Sequence, residues 1–312
     1  MKAELTVKDP KPVKKRYVWK NTAQVNGLLF AMPAILGFLI FVFGPMIASL
    51  IYSLTDYSVF SDNTSFVGLN NYINMFSGED PFFYKSISVT FYYVFLSVPL
   101  GIIFAFLLAI LLNTDIKGKA IFRTIFYLPS IVPVVASAMI WLWLFNPDLG
   151  LINNMLTSVG LPTSLWLFSE GTVIPSIVIM GLWGVGGNMI IFLAGLNGIP
   201  DHYYEAIEVD GGNTLHKFWH ITIPMMTPTI FFTTVMGFIS GFQVFTEAYI
   251  LTGGGPNNSS LFYVFYIWRE AFSNSNMGYA SALAWVLFII IMFFTAFIFK
   301  SSKWVYYEGG KQ

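Results

Sequence analysis

Six long apolar runs, separated by polar or glycine- and proline-rich segments, organise this chain. They cover roughly residues 27–53, 87–112, 124–145, 173–197, 228–252 and 281–299. A helix needs about 20 mostly apolar residues to cross about 30 Å of hydrocarbon. Each run is close to or beyond that length and is apolar on every side. Barrel strands would instead alternate apolar and polar positions over about 10 residues. The pattern therefore predicts six helices in lipid. The fourth is interrupted by Gly181, Gly184, Gly186 and Gly187, and the only formal charge inside the six is Glu247.

Composition agrees. Of the 312 residues, 56% are hydrophobic, 18% aromatic and only 10% charged, against about 25% charged in a soluble domain. Mean hydropathy is +0.67. A soluble globule of this size cannot hide so much apolar surface. The net charge is zero, so there is no global field for nucleic acid. With no cysteine, disulfides, thiol catalysis and cysteine metal sites are excluded.

Lysine and arginine set the expected orientation. With the N-terminus inside, the inner segments hold 14 basic residues and the outer ones only Lys85 and Arg269. Basic residues favour the cytoplasmic side. Both termini are therefore expected in the cytoplasm. Residues 1–26 read as a basic cytoplasmic segment, 27–299 as the membrane domain and 300–312 as a cytoplasmic tail. The first run is far longer than the core of a signal peptide, so it reads as an uncleaved helix. The first outer loop, 54–86, is acidic. Gly253-Gly254-Gly255-Pro256 ends the fifth helix.

The long inner loop, 198–227, carries the most pattern. Asp201 follows Pro200 and is placed to cap a helix from about residue 202. Tyr203, Ala206, Ile207 and Val209 give that helix an apolar side. Gly211-Gly212 breaks it, and a second short helix fits 213–220, with Leu215, Phe218 and Trp219 apolar. Pro224 and Pro228 mark re-entry into the membrane. Two readings stand: an interfacial helix packed on the bundle, or a rigid knob offered to a cytoplasmic partner.

The spacing of this loop resembles the signature of inner-membrane permease subunits of ABC importers: E-A-A, three residues, G, nine residues, I-x-L-P. Here Glu205-Ala206-Ile207 is followed by three residues, Gly211, nine residues and Ile221-Thr222-Ile223-Pro224. Ile207 and Ile223 are mild departures, and Asp210-Gly211-Gly212 resembles the usual D-G-A. Arg123, Leu128-Pro129, Trp141 and Gly150-Leu151-Ile152-Asn153 resemble the carbohydrate-uptake group. So do Leu251 to Pro256, Tyr266, Arg269, Ala271-Phe272 and Tyr279 to Ala282, most like its maltose F-type, glycerol-phosphate A-type or multiple-sugar permeases.

The resemblance covers about residues 25–300. It implies an all-α membrane protein with six transmembrane helices and the type I ABC importer permease fold, in the bacterial cytoplasmic membrane. It implies a non-catalytic subunit that works with a second homologous permease, two ATPase subunits and a periplasmic or extracellular solute-binding protein. No cofactor is expected in this chain; ATP and Mg would sit on the ATPase. The loop would be a coupling helix, with Glu205 pairing with a basic residue of the ATPase, Ala206 and Ile207 filling its cleft, and Asp210 and Gly211 shaping the turn.

A sugar path should run between helices. On the fifth, Ser240, Gln243 and Glu247 recur at i, i+3 and i+7, one helical face, flanked by Gly237, Gly241 and Val244. A carboxylate at membrane depth costs about 2.5–3.5 kcal/mol near the centre, so it should face protein or water. On the fourth, Gly184, Gly187 and Asn188 leave room beside Trp183. The bland reading of the glycines is close helix packing. His216 and His220 are spaced to bind metal, but no acidic partner completes a site, and none is expected. No GxxxxGK[ST] loop is present, so this chain does not hydrolyse ATP. The alternative is a secondary transporter using Glu247, which would survive loss of an ATPase and fail with an uncoupler.

Overall fold

In the computed structural model, residues 19–61, 64–114 and 117–306 are described. Most of the basic segment expected at 1–26, and 307–312 of the tail, lie outside them. Among the described residues the chain is helical, with one isolated bridge between Thr55 and Phe66 and no strand. It divides into two units, one ending at Ile51 and one beginning at Tyr52. Among the described residues the first is made by a long apolar helix, α1 (Gln24–Tyr52), whose last residue opens the second, with a π turn at Leu39–Phe43.

The second unit is built around α3 (Pro81–Asn113). Asp80 caps its start: one carboxylate oxygen accepts from the N–H groups of Phe82 and Phe83 at 2.9 and 3.2 Å, and Pro81 occupies a first-turn position where no N–H is needed. Before it lies the short α2 (Asn70–Ser77). The helices packed most extensively on α3 are α7 (Val173–Trp183), α8 (Gly186–Asn197), α10 (Thr214–Gly241) and α12 (Tyr263–Trp268). The last long helix, α13 (Met277–Lys300), packs on α10 and α12.

Two expectations are corrected, and the glycine break expected in the fourth run is found. The run 124–145 is not one helix but α4 (Lys119–Ile131) and α5 (Val134–Leu144), bent by 99°. Val132 and Pro133 are extended, with ψ of 130° and 136°, because the proline ring drives the preceding residue out of the helical region. The run 173–197 bends by 50° between α7 and α8, at the glycine break.

The fifth run is corrected at both ends. The second loop helix does not stop near residue 220. It continues through a π turn at Phe218–Thr222 into α10. Pro224 and Pro228 sit inside it. Pro228 cannot donate to the carbonyl of Pro224; the Thr227 hydroxyl donates there instead, at 2.6 Å. At its other end α10 stops at Gly241, and a separate turn, α11 (Thr246–Leu251), carries Glu247.

Small residues let these helices approach. A Cβ on Gly186 would collide with the backbone of Phe126 and Tyr127, so α8 meets α4 backbone to backbone. In lipid such close packing, rather than water exclusion, holds helices together. Two buried clusters result. One joins Val89, Val94 and Val98 of α3 to Ile177, Tyr263 and Leu283. The other joins Ala105, Leu108 and Leu112 to Met189, Phe192 and Met226.

Candidate functional site

Between the two clusters α3 presents Ser97, Gly101 and Ile102 to a cavity of about 310 Å³. That is the lower end of the roughly 300–1,000 Å³ range of small-molecule sites. Opposite α3 lie Gly184 and Asn188, on either side of the α7–α8 bend, and Gly237, Ser240, Gly241, Val244 and Glu247, on either side of the α10–α11 break. The two helix breaks thus border one space. Glycines at 101, 181, 184, 237 and 241 make the room. Hydroxyls of Tyr93, Ser97, Thr233 and Ser240, the Asn188 amide and the Glu247 carboxylate supply its polarity.

Five of the eight residues singled out for a path line this cavity: Gly184, Asn188, Ser240, Val244 and Glu247. Three do not. Trp183 lines a second, apolar cavity of about 320 Å³ with Phe104, Leu108 and Phe126. Gly187 is absent from both linings. The expectation that Ser240, Gln243 and Glu247 share one helical face is corrected: the helix ends between them. Gln243 is exposed and its amide donates back to the Ile239 carbonyl at 3.0 Å. Phe242, buried against Phe91 and Phe294, anchors the break. Tyr93, Ser97 and Thr233 were missed by sequence. Ser97 and Gly101, four apart within an apolar run, were the available signal.

The loop after Asn197 forms a compact knob. α9 (Asp201–Val209) begins one residue earlier than expected. Asp201 is its first residue, and Pro200 holds the cap position with no side-chain bond, which corrects the capping role given to Asp201. Asn213, unnoticed in the sequence, caps the second turn by accepting from the His216 N–H at 3.0 Å. Gly211 has φ of +79°, a conformation that favours glycine. Glu208 pairs with Lys217 across the turn. Tyr204 meets the hydroxyl of Thr222 at 3.1 Å.

The knob is seated by Tyr203, Tyr204, Ile207 and Phe218, which pack on the second buried cluster. Ile207 therefore faces its own chain. Glu205, Ala206, Val209, Asp210, Leu215 and Trp219 face outward, with Val209 87% exposed. The apolar side expected of α9 is thus split: Tyr203 and Ile207 inward, Ala206 and Val209 outward. The rings of His216 and His220 stack at 5.7 Å, and His220 Nδ1 lies 3.1 Å from the His216 carbonyl.

Comparison with known proteins places this arrangement. Residues 97–305 match the family described as binding-protein-dependent transport system inner membrane component. The probable ABC transporter permease protein YesP of Bacillus subtilis (strain 168) is 44% identical, over 92% of this chain and 93% of its own. The multiple sugar-binding transport system permease protein MsmF of Streptococcus mutans is 34% identical, over 87% and 93%. A chain in the crystal structure of a bacterial alginate ABC transporter, in complex with an alginate pentasaccharide-bound periplasmic protein, superposes with a TM-score of 0.79 at 25% identity, covering 92% of this chain and 97% of that one. A multi-pass helical chain with this match along most of its length belongs to the family of binding-protein-dependent transport system inner membrane components, the permeases of ABC transporters.

Proposed function

We propose that this chain is the permease subunit of an ATP-driven importer for a sugar or oligosaccharide. Relatives named for multiple sugars, arabinooligosaccharides and trehalose/maltose support the solute class. Counting each bent pair as one crossing gives six spans. The bias of 14 basic residues against 2 supports a cytoplasmic side for both termini and the knob, here in a bacterial cell membrane. A second permease completes the pathway, and a solute-binding protein delivers to the opposite face. Two ATPase subunits, which hold ATP and Mg, engage the knob.

The observation that carries this reading is the continuity of α10. One uninterrupted helix, Thr214–Gly241, runs from the knob to the cavity. At 1.5 Å per residue it is a lever of about 40 Å. Glu205, with Ala206 and Val209 beside it, supplies charge and apolar contact to an ATPase cleft, and a desolvated charge pair fixes register at a moving joint. Ile207 and Phe218 transmit the push because they pack on the membrane helices. Asp210 and Gly211 hold the turn. Movement of α10 reshapes the cavity, where Ser240 and Glu247 meet the solute with Asn188. Trp183, Gly187 and Gln243 take no part in that lining.

Solute-stimulated ATPase activity of the reconstituted complex tests this, wild type against Glu205→Ala. Loss of stimulation with the complex still assembled is expected. Unchanged stimulation and uptake would remove the knob from the mechanism. Uptake that survives an inactive ATPase but stops with an uncoupler would instead make Glu247 the centre of a secondary carrier.

A further inference from the structure

The segment between α5 and α7 has its polarity turned inside out. At its centre Asn153 is buried, with 3% of its surface exposed. Its Nδ2 donates to the carbonyls of Pro147 and Ser164, both at 2.9 Å. Its Oδ1 accepts from the Ser164 N–H at 3.1 Å and from the Trp166 indole N–H at 2.8 Å. Asn146 Oδ1 accepts from the N–H groups of Asp148 and Leu149. The polar side chains thus serve the loop's own backbone.

Ile152 and Leu167 pack inward on the first cluster, but one row of apolar side chains is left outside. On α6 (Leu151–Ser158) and just beyond it, Leu151, Met155 and Val159 recur at i, i+4 and i+8, a single stripe. They are 41, 59 and 70% exposed. Leu149 and Leu161 extend the stripe at either end, also exposed. Exposed Asn154, Thr157 and Ser158 flank it. Between Asp148 and Glu170 there is no charged residue.

Two facts select what covers this stripe. The first is height. The loop is tied at both ends to apolar helices, α5 ending at Leu144 and α7 beginning at Val173. Trp166 stacks on Phe145 at 5.0 Å, and Thr172 Oγ1 donates to the Trp166 carbonyl. With the bent pair α4–α5 counted as one crossing, the loop is pinned to the rim where α5 and α7 leave the hydrocarbon. The second is continuity: α5 exposes Met139, Ile140 and Trp143 as it approaches the loop, as a lipid-facing surface does.

An uncharged apolar stripe bordered by amides and hydroxyls, at that height, matches the boundary between acyl chains and headgroups. A site that is free between docking events would instead leave a bare apolar patch in water. We propose that α6 is an interfacial float. It lies flat in the bilayer surface with Leu151, Met155 and Val159 among phospholipid chains, and it fixes the height of α5 and α7. Because the cavity-lining Gly184 directly follows α7, the float sets the cavity's depth in the membrane. This rests on the six-crossing count of the proposed function, not on its solute.

The absence of cysteine in this chain gives a direct test. Met155→Cys and Thr157→Cys are labelled with a nitroxide in the assembled transporter, other subunits made cysteine-free, in nanodiscs of phosphatidylethanolamine and phosphatidylglycerol. Spin relaxation by oxygen, which partitions into lipid, is compared with relaxation by aqueous Ni-EDDA. Oxygen should dominate at position 155 and nickel at 157. Equal nickel access at both would overturn the proposal. So would exclusion of both reagents at 155, which places protein over the stripe, or oxygen access lost only when solute-binding protein is added. Val159→Cys gives the same readout if Met155→Cys does not assemble.

Discussion

The backbone N–H of Tyr263 donates to the hydroxyl of Thr90 at 2.8 Å, joining α12 to the first third of α3 across 173 positions of sequence. Thr90 is 2% exposed and its own hydroxyl donates to the Ser86 carbonyl. It thus supplies the acceptor for a first-turn N–H that has no partner within its helix. Thr90→Val keeps the shape and removes the acceptor. An orphaned buried N–H costs about 1–3 kcal/mol. The thermal midpoint of the purified chain in detergent should fall for Thr90→Val and stay near wild type for Thr90→Ser. Equal midpoints for all three would mean that α12 is held by packing alone.

Adjacent glycines should differ sharply. At Gly186 a methyl group meets the backbone of Phe126 and Tyr127, whereas at Gly187 nothing lies within 4 Å. Overpacking typically costs about 1–3 kcal/mol, and backbone cannot move aside as a flexible side chain can. Gly186→Ala should lower the yield of folded protein and its thermal midpoint, by forcing α8 away from α4. Gly187→Ala should leave both unchanged. Size-exclusion profiles and midpoints of the two variants decide this. Equal tolerance would show that the α4–α8 contact is looser than described.

The loop after α1 is predicted to loosen in acid. Asp56 is held below the ordinary carboxylate value of 3.8, first because the Ser65 hydroxyl donates to it and then because the Ser65 N–H does. A depressed pKa means that the charged form is favoured in the folded loop. The stabilisation is fully present above the unfolded value and is lost as pH falls through the lower, folded value. Hydrogen exchange at the Ser65 amide, corrected for intrinsic rates, should remain protected down to about pH 4 and accelerate below it. Ser65→Ala should bring the acceleration in at higher pH.

How much of this was legible in the sequence differs from helix to helix. Hydropathy located α3 to within about six residues and α13 to within about four, because burial in lipid demands length and apolarity and little else. Hydropathy also concealed the 99° bend after α4. A sum over apolar residues is blind to Val132-Pro133, although the pre-proline rule speaks to it directly. Pro224 and Pro228 misled in the opposite direction. They were read as boundaries, but the Thr227 hydroxyl satisfies the carbonyl that Pro228 abandons. The knob's turn was readable because Gly211 needs its positive φ locally. Ala206 and Val209 were not, since which apolar residues of α9 point inward depends on how the helix seats on α3 and α8. The end of α10 at Gly241 has no local signature beyond a glycine; burial of Phe242 among Phe91 and Phe294 makes it.

That break separates two neighbouring residues by function, and bulk is the simplest probe. Ser240 faces the cavity of about 310 Å³, while Gln243 turns outward with its amide on the Ile239 carbonyl. An indole at 240 would occupy much of the space between Gly101, Gly184 and Glu247. An indole at 243 would extend away from it. Ser240→Trp should therefore abolish uptake of the system's solute while the chain still assembles in the membrane, and Gln243→Trp should transport near the wild-type rate. A continuous α10 would put both residues on one face and make the two variants fail together. Uptake by membrane vesicles carrying each variant, normalised to assembled complex, distinguishes the two geometries. Joint failure would restore the single helical face, and transport by Ser240→Trp would move the solute path out of this cavity.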